Sequence, residues 1–514
     1  MLEKTPPKWA IIDIGSNTIR LVIYEKVFGT YKEAENIKAV ARLREYLNEG
    51  EILEEEGIQV LLKVLAGFKD IIKFHQINSV KCVATATIRQ SRNQKSILEK
   101  VNTETGFNIQ ILSEQEEAYY GYYAIIHTTP IEEGVTIDIG GGSTEITYFK
   151  DRKIVHSHSF PFGVVSLKER FFQGSDTELE NHAKLNEFIK ASLNQLPWLK
   201  DVGAPIVAIG GSARNIAQVH QNLINYQVAG IHQYQMTNQQ LKETKEFLFG
   251  LNIEELQKLE GLSKDRSDII LPAVEVFVQL CDFAASQLFM VSRKGLRDGL
   301  FLNEIDQDQL LPTTKQIIDK SINELMLAYG IDCSHSKYVE QLSTMLFNEL
   351  QLFCNHNHSK ELLEDIKRSS YVYYLGEYVD SDASSQHTFY LLANTSINGL
   401  VHKKRVRLAL MASFKNKNFL KYYLSSLPDW FSKEEVYEIR IAGALIKFAS
   451  ALDASKREIV KNIRMVVHPN GEELTFHIEC TGNFFVEQYE GEKHVRQLEK
   501  ALKRSIHLKF YTNK

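Results

Sequence analysis

Ile11-Ile12-Asp13-Ile14-Gly15-Ser16-Asn17-Thr18 and Thr136-Ile137-Asp138-Ile139-Gly140-Gly141-Gly142-Ser143-Thr144 spell one local structure twice, about 125 residues apart. Each is an apolar run closed by Asp, then a glycine turn with a hydroxyl residue, then a second β-rich run, Ile19 to Tyr24 and Glu145 to Phe149. The pattern predicts a strand, a tight turn and a returning strand. Glycine lets the backbone approach a ligand closely, and successive amides in such a turn make a concavity for an anion. The Asp at the strand end can orient a hydrated cation beside that anion. Two such hairpins in one chain predict a duplicated domain that grips phosphate from two sides.

The chain of 514 residues is too long for one core and predicts three or four domains. Hydrophobic residues at 44% and charged residues at 24% are ordinary for a soluble globular protein. A formal charge of −5 argues against a nucleic-acid binder held by bulk electrostatics, while leaving room for a local basic channel. Cys82, Cys281, Cys333, Cys354 and Cys480 are odd in number, widely spaced and never in a C-x-x-C pair. That usage predicts buried thiols in a reducing compartment and no zinc site. The start, Met1-Leu2-Glu3-Lys4-Thr5-Pro6-Pro7-Lys8, has no apolar signal core, and no run approaches a membrane span. The expectation is a cytoplasmic protein without an integral membrane segment.

Beyond the first hairpin, Lys32 to Arg44 reads as a strand, Glu51 to Phe74 as an amphipathic helix and Val80 to Ala84 as a short buried strand. Asn108 to Leu112 is a further strand. Ser113-Glu114-Gln115-Glu116 spells a capping box, so a helix should run from Ser113 to about Ile126. Lys153 to Phe160 reads as a strand. Ile206 to Ile209 ends in Gly210-Gly211-Ser212, a third glycine turn that opens a helix, and Leu288 to Ser292 is a last strand. Such alternation predicts an α/β fold in two similar halves. Asp306 to Thr314 looks like a linker, and beyond it the periodicity is helical apart from Ile463 to Ile478.

Several pieces together resemble the exopolyphosphatase/guanosine pentaphosphate phosphatase (Ppx/GppA) family. They are Asp13 to Thr18, Thr85 to Arg89 followed by Asn93, Glu116-Glu117-Ala118, Asp138 to Glu145, Gly210-Gly211-Ser212, Arg266-Ser267-Asp268, and Ser292 with Gly295 to Gly299. The resemblance covers essentially the whole chain. It implies two duplicated actin-like (ribonuclease H-like) ATPase-type domains, at 1–127 and 128–305, followed by a mainly helical, HD-like C-terminal region at 315–514. Phosphate would bind between the first two. Glu117 is then expected as the general base that activates water. Arg89 would stabilise charge on the phosphoryl oxygens, and Asp13, Asp138 and Glu145 would hold Mg²⁺. Backbone amides of Gly15, Ser16 and Asn17 on one side, and of Gly140, Gly141, Gly142 and Ser143 on the other, would bind the terminal phosphate. Gly210, Gly211 and Ser212 mark where the superfamily binds nucleotide. Glu116 reads instead as a partner of the helix N-terminus, and Arg266 with Asp268 as a structural ion pair. The chain departs from the family at Tyr119, where an arginine usually follows Glu-Glu-Ala.

In its family form the C-terminal region carries a metal centre built on a His-Asp doublet. Here His335 and His387 stand near expected positions, but the doublet falls on Gly376-Glu377, so the metal site reads as degenerate. Basic residues in His402 to Arg407, at Lys456-Arg457 and at Lys503-Arg504 are candidates to line a polyanion channel. The expectation is a Mg²⁺-dependent exopolyphosphatase acting on inorganic polyphosphate, with guanosine pentaphosphate (pppGpp) as the alternative substrate and a homodimer implied by the resemblance. Two rival classes are a sugar-kinase-like phosphotransferase, which would need ATP, and a nucleotide sensor without turnover.

Overall fold

The alternating pattern becomes two sheets in a computed structural model that describes residues 7–27, 30–172, 178–305, 310–353, 360–469 and 471–512. The first sheet holds β1 (Lys8–Ile14), β2 (Thr18–Val27), β3 (Thr30–Val40), β4 (Ser79–Ala84) and β5 (Ile109–Ile111), in the order β3-β2-β1-β4-β5. The second holds β6 (Gly134–Ile139), β7 (Thr144–Lys150), β8 (Lys153–Phe160), β9 (Ile206–Ile209), β10 (Tyr234–Thr237) and β11 (Leu288–Val291), in the order β10-β11-β9-β6-β7-β8. Both follow one plan. Three strands form an antiparallel meander, and the first of them pairs parallel with a later strand, β1 with β4 and β6 with β9. This repeated plan is the duplication that the paired hairpins predict, in the actin-like form that the resemblance implies.

Helices cover the sheets for the reason their spacing gives. In Glu55–Phe74 the buried positions Ile58, Leu61, Leu62, Leu65, Phe68 and Ile72 recur at three and four residues, and they join Ile12, Ile14 and Leu21 in one core. Burying one such leucine contributes about 1.5–3 kcal/mol. The helix Ile270–Phe283 is apolar nearly all round and is buried in the core of the second sheet. Two expected boundaries shift. The strand read to Arg44 ends at Val40, because the amides of Ala41 and Arg42 turn to the carbonyl of Asn17, and Arg42 takes a left-handed conformation. The helix read from Glu51 starts at Glu55, since Glu51 has φ of 57° and Leu53 bridges Leu47.

The chain divides into two compact units, Met1–Tyr226 with Ile231–Ile317, and Gln227–Gly230 with Ile318–Lys514. The short piece belongs to the second unit for a visible reason: Ala229 accepts from Arg405 at 2.9 Å and donates to Asn394 Oδ1 at 2.7 Å. The expected linker falls partly at 306–309, outside the described residues. The second unit is mainly helical but ends in a three-stranded sheet, β12 (Val460–Val467), β13 (Glu473–Cys480) and β14 (Ser505–Thr512). The strand signal at Ile463 to Ile478 is the hairpin β12-β13. β14 is additional, and its signal in the sequence is the alternation Ile506, Leu508, Phe510. No helix among the described residues is long and apolar enough to cross a membrane.

The helix Leu296–Ile305 meets the helix Glu114–Thr128 backbone to backbone, since a Cβ on Gly299 would lie 1.9 Å from the carbonyl oxygen of Tyr120. This contact sets the height of the helix that carries Glu117. Gly299→Ala is therefore expected to destabilise the protein by about 1–3 kcal/mol or more. Gly67→Ala, in open space inside the helix Glu55–Phe74, should be neutral or stabilising by about 0.5–1 kcal/mol. Urea unfolding of both variants gives the comparison, and equal midpoints would contradict the backbone contact.

Candidate active site

Strand register decides what lies beneath each hairpin tip. Asp13 stands opposite Arg20 across β1 and β2, and Asp138 stands opposite Glu145 across β6 and β7. Residues directly opposite in an antiparallel pair share a face. The first hairpin thus carries a balanced pair and the second carries two carboxylates. The amides of Gly15 and Gly140 close their own turns, to Thr18 O at 3.0 Å and Ser143 O at 2.9 Å. They are therefore spent, unlike the expectation that they face phosphate. The amides of Ser16, Asn17, Gly141, Gly142 and Ser143 meet no backbone acceptor among the described residues. The two tips touch, because a Cβ on Gly141 would fall 2.8 Å from Ser16 Cβ.

One cleft of about 960 Å³, open to solvent, gathers most of the expected residues. Asp13, Gly15, Ser16, Asn17, Glu117, Asp138, Gly140, Gly141, Ser143, Glu145, Gly210 and Gly211 line it. Gly142, Ser212 and Arg89 stand behind its wall: Gly142 against Ser16 and Ala86, Ser212 under Arg266, and Arg89 on Glu117. The Ser113 capping box forms as spelled, with Ser113 N donating to Glu116 Oε2 at 2.8 Å and Glu116 N to Ser113 Oγ at 3.2 Å. Those bonds hold the Glu116 carboxyl below its ordinary range, a structural role. One residue on, Glu117 turns into the cleft. Arg89 Nη1 donates to both Glu117 Oε2, at 2.7 Å, and Leu112 O, at 2.9 Å, and so clamps the start of this helix.

The carboxylates are strained electrostatically. Burial pushes Glu117 up to about 7 against the pull of Arg89, and Asp138 and Asp13 push in the same direction. Burial and the neighbouring Asp13 push Asp138 up to about 6. Glu145 rises well above its ordinary value through burial and then through Glu117 and Asp138, although Ser159 Oγ donates to it at 3.0 Å. Two of these groups crowd one buried volume without a cation of their own. Asp13 differs, since Arg297 Nη1 pairs with it at 2.8 Å.

The cleft is also cationic, and sequence reasoning missed most of that charge. Arg20, Arg214, Arg266, Arg293 and Arg297 all line it. Burial followed by mutual repulsion lowers Arg20 and Arg214 to about 10. Counting back from the first turn puts Arg20 opposite Asp13, a signal present in the sequence. Arg214 lies one helical turn after Gly210, with its Nε on Gly210 O at 3.1 Å, and is equally countable. Arg297 is paired across 284 positions and leaves no local trace. The expected Arg266–Asp268 pair does not form. Asp268 takes Lys168 at 2.6 Å and Arg42 at 3.7 Å. Arg266 lies flat over Gly211, where a Cβ would sit 2.2 Å from its guanidinium, and reaches Ser212 Oγ at 3.3 Å. A cation there stands at the positive end of the helix Gly210–Leu223, a repulsion that a bound anion relieves. Asn17 Nδ2, Arg20 Nε and Arg89 Nη2 are buried donors without a hydrogen-bond partner. Tyr119, in place of the arginine the resemblance implies, packs on Tyr120 and Tyr123.

In the second unit the basic run is neutralised rather than displayed. Lys403 pairs with Glu435, Lys404 with Glu361, and Arg407 with Asp365 and Glu438, at 2.7–2.9 Å. His335 Nδ1 is bound to Asp453 Oδ2 at 2.8 Å, and Gly376-Glu377 supplies no ligand pair. Among the described residues no three His, Cys, Asp or Glu side chains converge as a preformed metal cage in either unit.

A duplicated actin-like fold with glycine tips, buried carboxylates and arginines around one cleft defines a phosphate-handling protein. The chain belongs to the Ppx/GppA phosphatase family: the family model matches residues 22–308, and the model of that family's domain III matches residues 317–488. The bifunctional 3-dehydroquinate synthase/phosphatase of Fusobacterium nucleatum is 28% identical over 314 residues, 58% of this chain, and the match spans only 46% of that relative. The guanosine-5'-triphosphate,3'-diphosphate pyrophosphatase of Vibrio atlanticus is 25% identical over 406 residues, covering 78% of this chain and 79% of the relative. The crystal structure of the Aquifex aeolicus member of the family is 28% identical with a TM-score of 0.52, over 59% of this chain and 99% of its own. An exopolyphosphatase from Cytophaga hutchinsonii, 19% identical with a TM-score of 0.53 over 58% of this chain and 98% of its own, shares the fold.

Glu117, Asp138 and Glu145 keep protons in the folded state to higher pH than in the unfolded chain. From about pH 4.5 to 7 the folded state therefore binds more protons than the unfolded one, and these groups lower stability as pH rises. Glu145→Gln is expected to raise stability at pH 8 by an amount on the order of 1 kcal/mol and to lose that advantage near pH 5. Denaturation at both pH values checks this, and a variant weaker than the parent at pH 8 would refute the crowding.

Proposed function

We propose that the protein hydrolyses the terminal phosphoanhydride bond of a polyphosphate chain and releases orthophosphate, with inorganic polyphosphate as its first substrate. The observation that carries this reading is Glu117, a mostly buried carboxylate pushed up to about 7 beside a cleft lined by arginines and by turn amides that meet no backbone acceptor among the described residues. A carboxylate of that basicity accepts a proton from water near neutral pH. The attacking water forms the new P–O bond, the bridging P–O bond breaks in line, and the shortened chain leaves with its oxygen. Arg89 holds the base in place, while the amides of Ser16, Asn17, Gly141, Gly142 and Ser143 and the cleft arginines bind the phosphoryl oxygens.

The residues fit Mg²⁺ in the way that ion is held with phosphates, by one or two carboxylates plus substrate oxygens rather than a full protein cage. Asp138 and Glu145, buried and repelling each other, would hold it directly, and Asp13 through water. When bound it would neutralise charge on the transferred group. Among the described residues the cleft wall contains no aromatic side chain on which a purine could stack, which supports an inorganic chain over a nucleotide. A second reading is pppGpp as substrate, supported by the Vibrio relatives, whose names state that activity. The buried thiols Cys82, Cys281 and Cys480 accord with a cytoplasmic setting, and a homodimer is part of this reading.

Purified protein with Mg²⁺ and without ATP should release orthophosphate faster from long-chain polyphosphate than from pppGpp. The reverse preference would select the second reading, and dependence on ATP would select a phosphotransferase. Glu117→Gln is expected to cut the rate by about 10²–10⁴. The parent's rate should rise with pH through about 7, as the base loses its proton. Arg89 lowers the proton affinity of Glu117, so Arg89→Gln should move that limb to higher pH. A limb that stays in place would remove Arg89 from this role.

A further inference from the structure

Two of the cleft arginines, Arg20 and Arg293, are tied to β3, the strand that ends the first sheet. Arg20 Nη1 donates to Asn36 Oδ1 at 2.6 Å, and Asn36 Nδ2 donates to Glu33 Oε1 at 3.0 Å. Arg293 Nη2 donates to that same Glu33 oxygen at 3.4 Å. Neither Glu33 nor Asn36 lines the cleft, and the proposed hydrolysis uses neither. In a regular strand two residues three positions apart face opposite sides of the sheet. A bulge removes that conflict here. The pairing of β2 with β3 sets Val22 against Asn36 and Ile23 against Glu35, then passes over Ala34 and sets Tyr24 against Glu33. Arg20, Val22 and Tyr24 share one face of β2, so Asn36 and Glu33 come to the face that carries Arg20 and, across β1, Asp13. Burial, then Arg297 and Arg266, lower Arg20, and the acids that oppose them are Asp13 and Glu33. Arg20 Nε remains a buried donor without a hydrogen-bond partner, while Arg293 is exposed. A free arginine loses rotamer freedom when it binds an anion, and one already held loses less.

We propose that Glu33 and Asn36 are positioning residues, a bracket built on the bulge at Ala34 that holds Arg20 and Arg293 ready for the oxygens of a phosphate chain. The bracket rests on the reading of the cleft as a phosphate site, and deepens it. Charge alone predicts the opposite sign. Glu33 is an acid beside cations, so its removal would leave the cleft more positive and would tighten an anion. Positioning requires that its removal weaken the anion. One substitution therefore separates the two.

Calorimetry of tripolyphosphate binding to the full chain, without Mg²⁺, tests the bracket apart from turnover. Asn36 is exposed and Glu33 half-buried, so substitution at either leaves the core intact. Glu33→Ala and Asn36→Ala are each expected to weaken binding by about 3- to 10-fold. Unchanged or tighter binding by Glu33→Ala overturns the bracket. Asn36 acts through Arg20, so in an Arg20→Ala background Asn36→Ala should change binding by less than about twofold. A full effect in that background would equally overturn it. In turnover, KM for long-chain polyphosphate should rise by the same factor with kcat within about twofold, because Glu117 and Arg89 are untouched. A parent that binds tripolyphosphate but releases no orthophosphate rejects the hydrolysis and leaves the bracket to the calorimetry. A parent that binds none rejects both.

Discussion

The contact between the two hairpin tips governs this structure. A side chain at Gly141 would strike Ser16, and one at Gly163 would fall 2.3 Å from the carbonyl oxygen of Gly140. Glycine at both places lets the chain close in, and residues of both turns line the same cleft. Below the tips, strand register allows no freedom. A shift of one residue would send Asp13, Arg20, Asp138 and Glu145 to the far faces of their sheets. Hydrophobic burial along β1 and β6 fixes that register, so the core strands aim the charges in the cleft.

Those charges are arranged against the stability of the free protein. Asp138 and Glu145 repel across one hairpin, Glu117 adds a third carboxylate, and five arginines line the same cleft. Arg297 on Asp13 and Arg89 on Glu117 relieve only part of this. The residual imbalance has both signs, which suits a ligand that brings both an anion and a counter-cation. A cleft meant only to hold the fold together would pair these groups with one another.

Most of the fold was legible because it rests on local signals: two hairpins, a capping box, and helical spacing over Glu55–Phe74. The carboxylates and glycines of the cleft were legible for the same reason, since each sits at a hairpin or strand end or, for Glu117, in the first turn of the capped helix. The arginines were not, except in hindsight at Arg20 and Arg214. Arg297 reaches Asp13 only through tertiary packing, and Arg266 leaves its sequence neighbour Asp268 to lie on Gly211. Amide availability was misjudged at Gly15 and Gly140, because turn closure consumes the first amide of each loop. The strand β14 was passed over although Ile506, Leu508 and Phe510 alternate.

The basic run at His402 to Arg407 shows how a charge pattern misleads when its partners are distant in sequence. Read alone, it offers spaced cations to a polyanion. Folded, Lys403, Lys404 and Arg407 face Glu435, Glu361, Asp365 and Glu438, and Arg405 is buried on Ala229. The case for a chain substrate therefore shifts from that run to the cleft itself. There the donors are amides and guanidinium groups, which read phosphate oxygens, and among the described residues no ring lines it to read a base. The chemistry of the cleft thus suits phosphoryl oxygens, and the groups that meet them come from turns and strand ends rather than from a run of surface cations.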